Sequence, residues 1–387
     1  MSQVSSRLDN LDLLRGLAAL AVLGGHLRAY IFQSYSDLEQ AGVQIGVVVK
    51  AFYFATGLGH QAVMIFFALS GFLVGGKALS DILRRRFSWS RYLLRRLTRL
   101  WIVIVPTLLL TLLFDKIGIA LTHGVGYDGR YSALYASGVS ASSPIDHSLL
   151  TFLGNLAFLQ TIYFPIFGSN YPMWSLANEF WYYIVFPLAA WLGFAGPPMV
   201  GKAVGLAILV LLVVMLPMGL LEGGAIWAAG AGAAWCARRP ALFGFLRAFP
   251  VRISALTLLG ATLVVSKSPN IALGDLGLGI AAALTLPVVA HLPSLGGMSK
   301  FVARASSELS YTLYLTHFPL LSLIVLAGIA PMRWPPGIMA AGVYCALLLV
   351  AIVWAGAIWW CFERNTDSVY SALAGKAPSS EGALVRS

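Results

Sequence analysis

Arg15 and His26 are the first residues of the chain whose types and spacing fit chemistry. They lie in the apolar stretch 11–30 (LDLLRGLAALAVLGGHLRAY), which also carries Asp12. On a helix they would share one face about 16 Å apart, and ionisable groups inside a membrane usually face a wet cavity. The pattern predicts a site for an elongated ligand, with its anionic end near Arg15 and its reactive end near His26. The alternative is an Arg15 that reaches the lipid headgroups and a His26 that is hydrogen-bonded for packing.

A basic run in residues 77–99 (KALSDILRRRFSWSRYLLRRLTR) supplies the second group of candidates. Its last part forms a guanidinium stripe on one helix face, because arginines recur there every four residues. Guanidinium groups bind phosphate bidentately, so this stripe and Arg15 predict a dock for a phosphorylated ligand. The three arginines at 84–86 fit better as a topology anchor at anionic lipid. The stripe consists of Arg91, Arg95 and Arg99, with Arg96 beside it.

The segment 169–187 (SNYPMWSLANEFWYYIVFP) places Ser175 and Glu179 one helical turn apart, on a shared face. An unpaired glutamate inside a membrane is costly, so Glu179 needs a partner. We predict that Glu179 pairs with His26 and orients its imidazole. The alternative is a purely structural pairing with Arg28 or with a backbone amide. Trp174 and Ser175 are predicted to contact substrate.

Two further polar groups interrupt apolar helices. Ser310, Tyr314 and His317 follow an i, i+4, i+7 spacing, so they line one face and could grip a polar ligand. The alternative is an interfacial tyrosine and a histidine satisfied by packing. Ser70, in FFALSGF, is interpreted as a helix-packing residue rather than a nucleophile, because no G-x-S-x-G elbow is present.

Membrane helices are the elements that must position these residues. Of 387 residues, 59% are hydrophobic and 11% are charged, whereas a soluble domain has about 25% charged residues. The composition predicts an all-α, polytopic helix bundle of about ten spans. An eleventh apolar piece, 149–166, is interpreted as interfacial or re-entrant. The predicted spans are 11–31, 60–79, 100–120, 171–194, 203–221, 222–237, 251–267, 271–290, 308–330 and 337–361.

The positive charges predict the orientation. With ten spans, 20 of the 26 lysines and arginines fall on the side of both termini, which the positive-inside rule makes cytoplasmic. This placement explains the net charge of +11 without a nucleic-acid partner. The polar amino terminus lacks the pattern of a cleaved signal peptide.

The sequence argues against several classes of protein and site. The chain has neither a G-x-x-x-x-G-K-[ST] loop nor a G-x-G-x-x-G motif, which argues against a nucleotide hydrolase and a nicotinamide enzyme. Its three cysteines show no metal or disulfide spacing, so we expect no metal site. Glu222 and Asp275 lie near predicted span ends and are interpreted as facing water, and His147 as a solvated loop histidine.

The chain resembles the acyltransferase 3 family of membrane-bound O-acyltransferases, which includes O-antigen and Nod-factor acetylases. The order and spacing of five short motifs carry the resemblance, which runs from residue 11 to about residue 364. The motifs are LDLLRG at 11–16 followed by His26, FFALSGF at 66–72, RRLTRLW at 95–101, WSLANE at 174–179 and SYTLYLTH at 310–317.

The resemblance implies about ten helices, an acyl-CoA donor (usually acetyl-CoA) and an acceptor hydroxyl on a carbohydrate or other small molecule. His26 matches the family's essential histidine and Arg15 matches its partner. Two departures stand out. No SGNH hydrolase-like domain follows the membrane part, and the end motif, usually a Glu followed closely by Pro, reads Glu363-Arg364-Asn365.

Together these features predict a membrane domain over 1–365, a flexible cytoplasmic tail over 366–387 and a bacterial inner-membrane location. Acyl-CoA would be a substrate of this domain, with no cofactor resident. His26 would be the general base, oriented by Glu179, with Ser310, Tyr314 and His317 at the acceptor or at the thioester oxyanion. Direct transfer and relay through an acyl-enzyme stay open, as do the acceptor, the acyl chain length and the oligomeric state.

Two rival functions use the same residues differently. A proton-coupled transporter also needs intramembrane His, Glu and Arg, although the two halves of the chain show no convincing repeat. A substrate flux that needs no acyl-CoA would favour it. A lipid-scaffolding protein would need only the basic loop and not His26.

Overall fold

The computed structural model describes residues 2–135, 138–140, 144–268 and 274–375. Within these ranges the chain is helical, with three isolated bridges and no β-strand. The predicted all-α class is therefore confirmed. The described residues contain ten helices of 16 residues or more, which form the bundle: α1 Ser2–Ile31, α2 Gly59–Leu83, α3 Trp89–Thr122, α4 Trp174–Phe194, α5 Met199–Met215, α6 Met218–Ala237, α7 Phe249–Val265, α8 Asp275–Ala290, α9 Gly297–Gly328 and α10 Ile338–Cys361.

Shorter helices connect the long ones. Those of α type are Tyr35–Gln40, Val47–Thr56, Leu149–Leu156, Phe243–Arg247 and Thr366–Leu373. Single 3₁₀ turns occur at Tyr171–Met173, Pro240–Leu242 and Glu363–Asn365.

Each of the ten predicted apolar segments is mostly helical where it is described, the exceptions being a break at residues 216–217 and a few residues at segment ends, and residues 271–273 lie outside the described residues. By length and composition, four described segments can cross a bilayer: Gly59–Leu83, Trp89–Thr122, Gly297–Gly328 and Ile338–Leu373. The pair Pro240–Arg247 and Phe249–Val265, bent by 76°, makes a fifth if it is one broken span. The structure thus establishes an apolar helix bundle, and the count of ten spans stays a prediction.

The junction between α5 and α6 lies earlier than the sequence predicts. We place it between residues 221 and 222, whereas α5 ends at Met215 and α6 begins at Met218. Leu216 is extended (ψ 139°) because it precedes Pro217, and a residue before proline disfavours the helical conformation.

The segment 149–166 does not cross the bundle as a helix. Only Leu149–Leu156 is helical, which is about 12 Å of helix. Beyond it, Asn155 donates to the carbonyls of Thr151 and Pro165 and accepts from the amide of Phe167. These bonds fold the chain into a compact turn, as the non-spanning interpretation requires.

Helices α1 and α9 run parallel and form the polar centre of the bundle. Three pairs join them: Arg15 with Ser307, His26 with His317 and Tyr30 with Ser322. The sequence offset of 291 or 292 residues is almost constant, so the helices stay in register for about four turns. Gly16 permits the close approach, because a Cβ there would lie 2.1 Å from the Ser306 hydroxyl.

Helix α2 contains one π-helical turn, Gly71–Gly75, which fits against α6. A Cβ on Gly71 would lie 1.9 Å from the carbonyl oxygen of Trp227, and one on Gly75 would lie 2.6 Å from the indole. The two glycines therefore let Trp227, which is fully buried, enter the bundle beside Ser70.

The first residues of the predicted flexible tail are helical. Thr366–Leu373 forms a helix against α3, held by an Arg95–Asp367 ion pair at 3.4 Å and by Arg95 over the ring of Tyr370. These contacts order a segment whose composition alone suggested disorder. Residues 376–387 lie outside the described residues.

Candidate active site

A basic cavity of about 700 Å³ opens among α1, α2, α3, α4 and α9. Its volume lies within the range of small-molecule and cofactor sites. Among the described lining residues, seven are basic and three are acidic, the acidic ones being Asp12, Asp81 and Glu179. The structure therefore brings together all five arginines that the sequence singles out. The basic residues are Arg15, Lys77, Arg86, Arg91, Arg95, Arg96 and Arg99.

Three of these arginines are held by carboxylates. Arg15 lies 3.3 Å from Asp12, and both bond the Ser307 hydroxyl, at 2.8 and 2.9 Å. Arg99 lies 4.0 Å from Glu363. Arg95 is held by the short helix Thr366–Leu373. These contacts fix guanidinium groups at the wall before any ligand binds, and they give Asp12 and Glu363 positioning roles.

Arg86, Arg91 and Arg96 have no acidic partner in the part of the chain that the structure describes. The Nε of Arg96 and the hydroxyl of Tyr92, on the same cavity, are buried without a hydrogen-bond partner among these residues. Burial of unpaired polar groups is costly. The cavity wall thus retains positive charge and donors for an anionic ligand.

The lipid-anchor interpretation of 84–86 is incomplete, because Arg86 faces this cavity. Arg85 adopts a left-handed conformation (φ 57°), and the Arg86 amide bonds the Asp81 carbonyl at 2.8 Å. This turn directs Arg86 inward, between the end of α2 and the start of α3.

Glu179 lines the basic cavity and does not take the partner that the sequence predicts. One of its oxygens accepts the Ser70 hydroxyl at 2.6 Å and the Tyr183 hydroxyl at 2.5 Å. Ser70 also accepts from the Trp227 indole at 3.1 Å. The predicted Glu179–His26 contact is therefore wrong, because α4 turns Glu179 toward α2 while α9 occupies the position beside His26. Ser70 is part of this network and is more than a small packing residue.

The deep end of the cavity is built by Ser175, Ser310 and Tyr314. The hydroxyls of Ser175 and Tyr314 lie 2.6 Å apart, and both lie within 3.3 Å of the Pro172 carbonyl. Ser310 donates to the Ser307 carbonyl of its own helix. Trp174, predicted to contact substrate, faces a second pocket on the other side of α4.

The ring nitrogens of His26 (Nδ1) and His317 (Nε2) lie 2.8 Å apart. The Nδ1 of His317 is 2.7 Å from the Leu313 carbonyl, which can only accept, so Nδ1 carries the proton. In a neutral pair, Nε2 of His317 then accepts from Nδ1–H of His26. This assignment by hydrogen-bond partners leaves the Nε2 lone pair of His26 free to accept a proton.

The histidine pair lies one turn beyond the cavity's end wall. Phe66 and Tyr314 close that wall, with ring centroids 6.1 Å apart, and the Tyr314 ring is 6.4 Å from His317. His317 is fully buried, whereas His26 is half-buried. Ser310 and Tyr314 line the cavity, as the sequence predicts. His317 is not among the described cavity residues and instead pairs with His26.

A buried carboxylate that sequence reasoning passes over holds the loop before α4. Asp115, on α3, is 0% exposed and accepts from His147, from the Ser169 hydroxyl and from the Ser169 amide, all within 2.9 Å. Ser169 precedes Pro172 by three residues, and the Pro172 carbonyl accepts a hydrogen bond from the Tyr314 hydroxyl. An aspartate inside the apolar run of α3 is the signal that could have revealed it.

The comparisons with known proteins agree with the predicted resemblance. The model of the acyltransferase 3 domain matches residues 8–360 of the chain. The acyltransferase MdmB of Streptomyces mycarofaciens is 30% identical over 184 residues, which cover 47% of this chain and 39% of that protein. The match thus spans well under half of the relative's length. No solved structure matches the chain significantly.

Proposed function

The chain belongs to the acyltransferase 3 family, and from this premise we propose that it moves an acyl group, most simply acetyl, from acyl-CoA to an acceptor hydroxyl. The observation that carries the proposal is the basic cavity ending one turn from a polarised histidine pair. The acceptor is a carbohydrate or another small hydroxylated molecule.

The donor fits the cavity by charge and by shape. Coenzyme A carries a diphosphate and a ribose phosphate, and Arg86, Arg91 and Arg96 are the guanidiniums that lack acidic partners among the described residues. Such groups bind phosphate bidentately. The extended pantetheine arm then follows α1 from Arg15 toward His26, a distance of about 16 Å.

His26 acts as the general base. The acceptor hydroxyl gives its proton to Nε2 of His26 while its oxygen attacks the thioester carbonyl. The C–S bond then breaks, and the thiolate takes the proton back from the imidazolium. His317 is a positioning residue, because its bond to the Leu313 carbonyl fixes its tautomer and therefore the tautomer of His26.

The same geometry supports a proposal for the location. We place the protein in a bacterial inner membrane, with the basic cavity on the cytoplasmic side where acyl-CoA occurs. Asp9, near the start of α1, pairs with Lys300 and Arg304, and Glu363, after α10, pairs with Arg99. Both ends of the described chain therefore lie at the basic end of the bundle, in accord with cytoplasmic termini.

Thiol release from acetyl-CoA by the purified protein tests the proposal. We expect His26→Ala to reduce release by about 10²- to 10⁴-fold, the usual contribution of a general base. His123→Asn is the matched control, because His123 is an exposed loop residue with a positive φ that asparagine tolerates. Equal release by wild type and His26→Ala would overturn the base assignment. Solute flux without acyl-CoA would favour the transporter.

A further inference from the structure

A second pocket of about 300 Å³ lies at the opposite end of α2 from the basic loop, where α2, α4, α6 and α8 meet. His60, at the start of α2, is separated from Arg84 by about 36 Å of helix. The polar side chains that line the pocket are His60, Thr161, Trp174, Asn178, Glu222 and Asp275.

Hydrogen-bonded polar side chains form one wall of the pocket. Nε2 of His60 lies 2.8 Å from both carboxylate oxygens of Asp275, and the His60 ring stacks near Trp174 with centroids 6.2 Å apart. Asn178 is only 7% exposed, whereas the side chains of His60 and Asp275 are about half exposed, 52% and 45%. The pocket therefore opens outward and narrows to a buried amide.

The charge of this pocket is opposite to that of the basic cavity. Two carboxylates, Glu222 and Asp275, line it together with one imidazole, and no lysine or arginine is among its described lining residues. A ligand with phosphates is repelled here. Carboxylates, an amide and an indole instead suit an uncharged or cationic molecule that offers hydroxyl groups.

The two cavities share one lining side chain among the described residues. Phe67 lines both, and its ring lies 6.2 Å from Trp174. Trp174 lines the second pocket, while the next residue, Ser175, lines the basic cavity and bonds Tyr314, which belongs to the end wall beside the histidine pair. The two cavities are therefore closest near this end wall.

We propose that this second pocket admits the acceptor and selects an uncharged or cationic hydroxyl compound over an anionic one. The inference rests on the proposed function. Glu222, Asp275 and Asn178 bind the acceptor's hydroxyls and any cationic group, and Trp174 contacts its apolar face. The reacting hydroxyl passes Phe67, gives its proton to His26 and forms the C–O bond as the C–S bond of the donor breaks.

The test uses three probes that share one sugar and differ in charge: ethyl β-D-glucoside, its 2-trimethylammonio derivative and its 2-sulfonato derivative. With the full-length protein and acetyl-CoA, we expect the cationic and neutral probes to accelerate thiol release. The KM of the cationic probe should be about tenfold below that of the anionic probe, the effect of one or two partly exposed charges. In a Glu222→Gln, Asp275→Asn double variant, this ratio should fall to about one.

The control is Glu39→Gln, which removes an exposed carboxylate elsewhere and should keep the wild-type ratio. Thermal unfolding of each variant shows that it is folded. A preference for the anionic probe, or a ratio unchanged in the double variant, would overturn the acceptor pocket. Thiol release that no glucoside accelerates would also overturn it while leaving the proposed function intact. No thiol release from wild type under any condition would overturn both.

Discussion

The seam between α1 and α9 and the outer surface of α5 show two ways in which an apolar helix is used. Along the seam, Arg15, His26 and Tyr30 each find a polar partner on α9. On α5, Gly205 is the one buried residue, and Val210, Leu211 and Val214 are 56%, 56% and 78% exposed. The polar side chains of the seam therefore lie where a neighbouring helix satisfies them, whereas residues 203–215 of α5 are all apolar and suit contact with lipid.

Breaking the seam at its buried histidine should have the largest effect. His317→Leu removes the acceptor for His26 Nδ1–H, so the tautomer that leaves Nε2 free is no longer fixed. We expect the kcat of thiol release to fall by about 10²-fold or more, with little change in the KM for acetyl-CoA.

His317→Gln separates this positioning role from packing, because the amide oxygen can again accept from His26. Partial rescue of kcat by Gln, together with an altered pH profile, supports positioning. Equal activity of the Leu variant and wild type would contradict it.

The next largest effect is expected from a substitution at the contact between α2 and α6, and it should lower thermal stability. Gly71→Ala places a Cβ against the Trp227 carbonyl, and overpacking of this kind costs about 1–3 kcal/mol. We expect a lower thermal midpoint by differential scanning fluorimetry in detergent. Gly232→Ala on α6 is the control, because a Cβ there meets nothing within 4 Å. Equal midpoints for the two variants would show that the turn can shift.

Removing a guanidinium without an acidic partner should weaken donor binding alone. Arg91→Gln is expected to raise the KM for acetyl-CoA by about tenfold, about 1.4 kcal/mol, with kcat largely retained. Arg85→Gln is the control, since it removes a positive charge from the same basic run but Arg85 does not appear among the described cavity residues. The difference between the two variants should shrink as salt is added. An equal rise in the KM for acetyl-CoA in both variants would mean that the net positive charge, rather than the cavity, attracts the donor.

The smallest effect is expected on the lipid-facing helix. Val214→Ala removes apolar surface that is 78% exposed, so the thiol-release rate should stay within about twofold of wild type and the thermal midpoint should barely move. A large loss of activity would indicate that a partner of defined shape covers α5. It would contradict the distinction between a functional α1–α9 seam and a lipid-facing α5.

Sequence periodicity predicts faces well and partners poorly. It placed Arg15 and His26 on one face, and that face does meet α9. It also grouped the arginines that line the basic cavity. It predicted Glu179 as the partner of His26, whereas His317 is the partner, because both lie far away in the chain and the contact depends on how α4 and α9 rotate. Asp115, Arg86 and the His60–Asp275 pair were missed for the same reason, since each becomes meaningful only through a distant neighbour.

The parallel course of α1 and α9 imposes a parity rule on the chain. Two parallel helices start from the same face of a bilayer, so an odd number of crossings must lie between them. The ten-span arrangement has seven crossings in this interval, and counting the helix at Leu149–Leu156 would make eight. If α1 and α9 both cross the bilayer, the three side-chain pairs that fix their parallel direction therefore require an odd number of crossings between them, as in the ten-span arrangement, without reference to charge or hydropathy.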